Sequence, residues 1–337
     1  MPDLRTTYLG LELANPLVPS ASPLSRSLDM ARRLEDAGAS AIVMYSLFEE
    51  AVAAEDEELV RFLHHQEIGH GEASSFRPVP DDFHTTIDQY LNQLTRLKEA
   101  LEIPVIASLN GISLSGWVEH GQSLQEAGAD ALELNVYYVA ADPHESAETV
   151  ENRYVELLKE LEGVVTLPVT MKLSPQFSSL PNFVRRLQEA GANGVSLFNR
   201  FYQPDIDLET LKVSPVPQLS NPGDSLLSMR WIAILRSQVQ LSLAATGGVH
   251  TVDDVVKVLL AGADVAHLCS ALLRNGPEHL ALLRRGLSLW LEDHEYVSVA
   301  QMKGSVCYSN TTNPVAYERT NYLETLHGHH CAVPTWR

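Results

Sequence analysis

A pair of glycines and a Cys-Ser dipeptide have the residue types of a phosphate site. Thr246-Gly247-Gly248 ends one apolar run, and Cys269-Ser270 ends the next and precedes a short helical pattern. Glycines let backbone N–H groups approach a phosphate closely, and the start of a helix adds further donors. The same residues could instead form two tight turns in which glycine serves only the backbone geometry. Because both halves follow neighbouring apolar runs, we predict a phosphate site.

A lysine and two asparagines end other apolar runs. Lys172 alternates with Met171 and Leu173, which favours an inward position over a surface one. A buried lysine costs several kcal/mol of desolvation unless it meets an anion or an electron-rich ring. Asn135 and Asn199 carry both donors and acceptors, which suits the edge of a planar heterocycle, although either could instead hold a loop in place. These residue types indicate a site for a flat, polar-edged ligand.

Two groups of side chains have the residue types of a metal site. They are His64, His65 and His70 in an acidic stretch, and His327, His329, His330 and Cys331 near the C-terminus. A metal ion is conceivable at either, but solvated histidines explain both, so we predict no metal. The chain contains no GxSxG, HExxH, Walker A or GxGxxG motif, which disfavours the common hydrolase, zincin and nucleotide-loop classes.

Composition excludes several classes of protein. The formal net charge of −19 argues against a nucleic-acid-binding surface and against a polybasic membrane anchor. No run approaches the ~18 apolar residues of a membrane span, and the N-terminus has no signal-peptide pattern. Three widely separated cysteines form no disulfide framework. We therefore predict a reduced, cytoplasmic protein.

A repeated joint between helix and strand indicates how these residues are positioned. A polar helix end, an Ala-Gly pair and an apolar run recur four times, around Gly38, Gly128, Gly191 and Gly262. Each glycine stands where a helix must stop in the left-handed conformation, and an apolar strand follows directly. Such joints are typical of a parallel sheet with helical crossovers.

Eight short apolar runs are the predicted strands. They are Asn15–Ser22, Ala39–Ser46, Ile103–Asn110, Ala129–Tyr137, Leu167–Ser174, Asn193–Asn199, Leu241–Thr246 and Ala263–Ser270. Amphipathic stretches separate them, and Thr251 followed by Asp254 is the predicted N-cap of one of these helices. Eight strands alternating with about eight helices favour an α/β fold of the (β/α)8 TIM-barrel type, with a doubly wound sheet as the alternative. In a barrel, the polar strand ends would meet at one mouth.

The predicted domain organisation is a single barrel with additions. Residues 1–294 form the barrel, and residues 295–337 form a polar C-terminal extension. Excursions at 47–85 and 201–228 leave the carboxyl ends of strands, where long loops are often lids or dimer contacts.

Several motifs, in the order of the predicted strands, resemble those of class 1 dihydroorotate dehydrogenases. They are Asn15-Pro-Leu-Val-Pro-Ser-Ala-Ser22, Glu133-Leu-Asn135, Lys172-Leu-Ser-Pro175, Ala245-Thr-Gly-Gly-Val249 and Ser270-Ala-Leu272. The resemblance extends from about Leu4 to Trp290. It implies a (β/α)8 barrel that holds FMN at its strand ends, a cytoplasmic homodimer, and a redox reaction of pyrimidine biosynthesis.

The resemblance also implies residue roles. Lys172 would lie near N1 and O2 of the isoalloxazine, where a cation stabilises the reduced anionic flavin. The phosphate would lie at Gly247, Gly248, Cys269 and Ser270, next to Thr246. The implied contacts to the ring or the ribityl chain are Ala21, Ser22, Ser46, Asn110 and Asn135.

The chain departs from the family pattern near the expected substrate. In the family, the loop after the asparagine of the fourth strand carries a Cys or Ser base and then Pro-Asn; this chain has Tyr138 and Ala140 there. Tyr45 replaces a lysine at the end of the second strand. We predict Tyr138 as the base and Lys172 as the second catalytic residue. The predicted substrate-binding residues are Tyr45, Asn135 and Asn199.

Three functional hypotheses follow. The first is an FMN-dependent oxidoreductase that takes hydride from a small dihydropyrimidine-like CH–CH compound and passes electrons on, with an electron-acceptor protein as a conceivable partner. The second is a flavoprotein that has lost dihydroorotate turnover and acts on another substrate or in electron transfer. The third is a non-redox barrel enzyme that binds a sugar phosphate at the same glycine site.

Overall fold

Eight parallel strands and the helices between them form the protein. The computed structural model describes residues 1–52, 54–55, 85–111, 114–200, 203–215 and 218–318. The strands are β1 (Leu17–Pro19), β2 (Ile42–Phe48), β3 (Val105–Asn110), β4 (Ala131–Asn135), β5 (Val169–Leu173), β6 (Gly194–Leu197), β7 (Ser242–Thr246) and β8 (Val265–Leu268). The helices are α1 (Leu28–Asp36), α2 (Thr86–Ala100), α3 (Leu114–Glu126), α4 (Ala147–Glu162), α5 (Leu180–Glu189), α6 (Ser225–Leu235), α7 (Val252–Ala261), α8 (Ser270–Asn275), α9 (His279–Asp293) and α10 (Val299–Met302).

The sheet closes into a barrel. Its strands are ordered β1-β8-β7-β6-β5-β4-β3-β2, and every pair is parallel. The two end strands meet where the backbone N–H and the hydroxyl of Ser40 both donate to the carbonyl of Leu17, at 3.1 and 3.0 Å. The predicted (β/α)8 TIM barrel is therefore confirmed, and the doubly wound alternative is wrong.

The strands are shorter than the predicted runs because polar residues at their ends make other bonds. Asn15, the first residue of the first predicted strand, donates from its side chain to the carbonyl of Gly38 and accepts from Leu17 N–H. This side chain thus fixes the joint between α1 and the sheet. The predicted cap of α7 is confirmed, since Thr251 and Asp254 form a capping box.

Strand residues alternate between two cores. In β4, Leu132 and Leu134 belong to the core between sheet and helices, whereas Ala131 belongs to the core inside the barrel. Glu133 and Asn135 share the parity of Ala131, so they face the barrel interior. At the amino end of the strands, the hairpin Thr6–Tyr8 and Leu11–Leu13 packs Tyr8 into the interior core.

Two additions lie outside the barrel helices. The hairpin Pro204–Asp207 and Lys212–Pro215 falls within the predicted excursion 201–228 and exposes Ile206 and Val213. The described start of the C-terminal extension buries Val299 and Met302 against the barrel. Both predicted histidine groups lie outside the described residues. None of the described helices is long and apolar enough to cross a membrane.

Candidate active site

A cavity of about 900 Å³ opens at the carboxyl ends of the strands. It is lined by nearly all of the residues that the sequence predicts for the site. These are Ala21, Ser22, Ser46, Asn110, Asn135, Lys172, Asn199, Thr246, Gly247, Gly248, Cys269 and Ser270. The barrel brings them together because the strands are parallel and in register: Asn110 is paired with Asn135, and Asn135 with Lys172, on neighbouring strands.

The glycine end of the cavity has an exposed backbone. Gly247 and Gly248 have φ values of +88° and +78°, and a Cβ added to Gly247 would meet no described atom within 4 Å. The backbone at Gly247 is therefore open to a ligand. Nearby, the hydroxyl of Ser270 accepts the N–H of Ser220 at 3.0 Å. Burial raises the pKa of the Cys269 thiol, so this side chain is a neutral part of the wall.

The floor of the cavity carries an ion pair. Lys172 Nζ lies 3.3 Å from Glu133 Oε1, and Ser196 Oγ donates to Glu133 Oε2 at 3.1 Å. Burial is the largest influence and opposes ionisation of Glu133, but the nearby charge of Lys172 and the hydrogen bonds from Lys172 and Ser196 together hold the pKa of this carboxyl below its usual range. The sequence analysis used Glu133 only as part of a motif. The sequence feature that could have identified Glu133 is a charged residue at an inward position of an apolar strand.

A buried histidine also lines the cavity and was missed. His267 in β8 is 2% exposed, and burial lowers its pKa to about 4, so it is neutral at pH 7. Neither ring nitrogen has a hydrogen-bond partner among the described residues. The ring packs edge-on against Tyr8 at a centroid distance of 5.8 Å. The sequence feature that could have identified His267 is again a polar residue at an inward position of an apolar strand.

Two amide side chains meet in the cavity at the ends of β4 and β6, the latter next to the glycine strand β7. Asn199 Nδ2 donates to Asn135 Oδ1 at 2.6 Å, and Asn199 N–H donates to the carbonyl of Leu173 at 2.7 Å. Arg200 also lines the cavity, and its Nη1 lies 3.0 Å from Asp224 Oδ2. This part of the cavity can therefore offer amide donors and acceptors to a heterocycle edge.

The structure does not bring the two predicted tyrosines to this cavity. The hydroxyl of Tyr138 donates to Glu145 Oε2 at 2.5 Å, and the guanidinium of Arg153 lies 4.3 Å from the ring centre. Tyr45 packs edge-on against Tyr90 instead. Among the described residues, the tyrosine that lines the cavity is Tyr137, which the sequence analysis did not select.

Comparison with known proteins agrees with this geometry. The family model described as dihydroorotate dehydrogenase matches residues 83–291. The chain belongs to the dihydroorotate dehydrogenase family. It is thus an oxidoreductase acting on a CH–CH group, and the resemblance drawn from the motifs is confirmed.

Individual relatives carry two different activities in their names. The chain is 26% identical over 311 residues to the catalytic subunit of dihydroorotate dehydrogenase B (NAD(+)) from Pyrococcus abyssi, covering 89% of this chain and 98% of the relative. It is also 26% identical over 321 residues to the NAD-dependent dihydropyrimidine dehydrogenase subunit PreA from Escherichia coli, covering 90% and 76%. Dihydroorotate dehydrogenase A (fumarate) from Lactobacillus delbrueckii is 30% identical over 192 residues, covering 55% and 62%.

Proposed function

We propose that this protein is an FMN-dependent oxidoreductase that takes hydride from a dihydropyrimidine-like compound. The observation that carries the proposal is the cavity at the strand ends, which combines an open glycine backbone with a buried lysine on its floor. In a family of CH–CH oxidoreductases, an open glycine backbone suits the anionic tail of FMN, and a buried lysine suits its electron-accepting ring.

The residues present fit FMN. The cavity volume of about 900 Å³ lies within the ~300–1,000 Å³ typical of ligand pockets. We assign the phosphate to the backbone at Gly247 and Gly248 and to the walls at Thr246, Cys269 and Ser270. We assign the ring and ribityl chain to Ala21, Ser22, Ser46, Asn110, Asn135 and Lys172. When bound, FMN supplies the hydride acceptor.

The remaining chemistry belongs to side chains of this chain. Asn135 and Asn199 hold each other at 2.6 Å and together present amide groups that orient a planar substrate. Phe198 lines the cavity beside them and adds an apolar surface there. The base role of Tyr138 stays a prediction. A base must come within hydrogen-bond reach of the proton that it removes, and Tyr137 is the neighbouring residue that lines the cavity.

The charge of the cavity favours an uncharged substrate. Among the described lining residues, both cations already have carboxylate partners: Lys172 has Glu133, and Arg200 has Asp224. Glu50 adds a negative charge to the lining. Because dihydroorotate carries a carboxylate, its binding would add a negative charge to a cavity whose described cations are already paired. We therefore propose an uncharged dihydropyrimidine as substrate, with dihydroorotate as the second candidate.

Two further hypotheses stay open. A flavoprotein that has lost substrate oxidation would bind FMN but would not be reduced by these compounds. A non-redox sugar-phosphate enzyme would bind no flavin at all. A homodimer and an electron-acceptor protein as partner are proposed on the resemblance to the family.

The purified protein tests these alternatives directly. We expect flavin absorbance bands, and we expect anaerobic addition of dihydrouracil to bleach them in proportion to the bound flavin. Dihydroorotate at the same concentration should bleach them at least tenfold more slowly. A colourless protein that also fails to bind added FMN would exclude the flavoenzyme. Faster bleaching by dihydroorotate would reverse the order of the two substrates.

A further inference from the structure

A polar cluster lies inside the barrel directly beneath the cavity. Glu133 from β4, Lys172 from β5, Ser196 from β6 and His267 from β8 all project inward. Lys172 and Ser196 are register partners on adjacent strands. Lys172 and His267 reach the cavity wall, whereas Glu133 is 0% exposed and lies behind them. Lys172 and His267 therefore face the ligand site, and the Glu133 carboxylate lies behind them.

Both oxygens of this carboxylate are engaged. Oε1 accepts from Lys172 Nζ, and Oε2 accepts from Ser196 Oγ, with the Nδ1 atom of His267 3.8 Å away. Because His267 is neutral at pH 7, Lys172 is the residue in this cluster that balances the charge of Glu133. The hydroxyl of Ser196 lies 3.5 Å from that of Tyr8, which connects the cluster to the hairpin that closes the other end of the barrel.

Stability alone does not explain such a pair. A fully buried ion pair loses several kcal/mol of hydration, and apolar residues of similar volume often replace one without loss. The rest of the barrel interior holds an apolar cluster that includes Ala131, Val18, Ile106 and Val265. Among the described residues of the barrel interior, this charged pair therefore lies beside the cavity and not within the apolar cluster. A lysine left without this carboxylate would tend to turn its ammonium group toward solvent.

We infer that Glu133 is a positioning residue that fixes the ammonium group of Lys172 at the floor of the cavity. Glu133 does not itself reach the ligand. The inference rests on the proposed function, because the property that it sets is the stability of the reduced, negatively charged flavin beside that ammonium. A fixed cation stabilises the reduced form and thereby raises the midpoint potential.

The midpoint potential of bound FMN distinguishes this role from a structural one. We expect Glu133→Gln to lower it toward the value of Lys172→Met, with at least a tenfold change in the ratio of oxidised to reduced flavin. For a two-electron couple, that tenfold change corresponds to about 30 mV. Glu133→Asp, which keeps the charge, should recover part of the shift. Ser196→Ala removes only a neutral hydrogen bond and serves as the matched control, with a change below threefold.

A double-mutant cycle completes the test. If Glu133 acts only through Lys172, then Glu133→Gln combined with Lys172→Met has the same potential as Lys172→Met alone. This comparison also decides the matter if Glu133→Gln does not fold by itself, since the double variant leaves no buried charge unpaired. A higher or unchanged potential in Glu133→Gln would overturn the inference, as would additive shifts. Wild-type protein without flavin would instead overturn the proposed function.

Discussion

Two adjacent tyrosines have opposite surroundings, and this difference predicts different roles. Tyr137 lines the cavity, whereas the Tyr138 hydroxyl is 2.5 Å from Glu145 and lies against Arg153. We expect Tyr137→Phe to slow flavin reduction by substrate at least tenfold, because general acid–base groups contribute about 10²–10⁴-fold. Tyr138→Phe should change this rate less than threefold. Stopped-flow absorbance under anaerobic conditions measures both rates.

The two variants control for each other, since each removes one hydroxyl from neighbouring residues of the same loop. A large loss in Tyr138→Phe with a small one in Tyr137→Phe would restore the base role that the family pattern suggests for position 138. Equal flavin content in both variants is required, so that the rates report on the reaction and not on cofactor loss.

In β4 and the loop that follows it, residues inside the strand were predictable, and residues beyond it were not. Alternation fixes the direction of a side chain as far as Asn135, the last residue of β4. At Tyr137 and Tyr138 the chain has left the sheet, so a period of two no longer determines which residue faces the cavity. The direction of Glu133, in contrast, was predictable. It lies inside β4, and the alternation that places Asn135 at an inward position places Glu133 there as well.

At the scale of elements, the loop after β7 packs directly on the start of α6. A Cβ added to Gly248 would lie 2.1 Å from the backbone nitrogen of Ser225, whereas a Cβ on Gly247 would meet no described atom within 4 Å. Both residues are left-handed, so alanine costs about 1–2 kcal/mol of folding free energy at either position. Gly248→Ala should lose about 1–3 kcal/mol more, because the helix must shift.

The two alanine variants should separate cofactor binding from folding. We expect Gly247→Ala to remain folded but to lower the ratio of flavin to protein, since its methyl group occupies the open backbone surface. Urea denaturation gives the free energy of unfolding, and absorbance gives the flavin ratio. Equal destabilisation of both variants would contradict the packing described here.

The order of elements was readable from the sequence, while their contacts were not. The four Ala-Gly joints and the apolar runs located every strand of the barrel. The contact between Gly248 and Ser225 joins the loop after β7 to the last part of the excursion at 201–228, and no local pattern encodes such a contact. The same limit applies to Tyr8, whose position inside the barrel depends on the closure of the whole sheet.

For the whole molecule, the barrel interior is divided into an apolar part and a polar part. The apolar part is closed by the N-terminal hairpin, and the polar part lies beneath the cavity and holds Glu133, Lys172 and His267. A neutral histidine buried in this position makes the stability of the entire fold sensitive to acid. The pKa of His267 determines the sign of its contribution to the free energy of unfolding and the pH range in which that contribution changes.

Unfolding frees His267 to titrate near its ordinary pKa of 6.5, whereas the folded protein holds that pKa at about 4. Between these values the unfolded chain binds more protons, so the free energy of unfolding falls as the pH falls. From pH 7.5 to pH 5.5, which stays above the isoelectric point near 5.0, His267 alone should account for a loss of about 1–1.5 kcal/mol. His267→Gln should lack that part of the loss, which urea denaturation at the two pH values measures. Equal pH dependence in both proteins would mean that His267 is protonated inside the fold, and the neutral cluster described here would then be wrong.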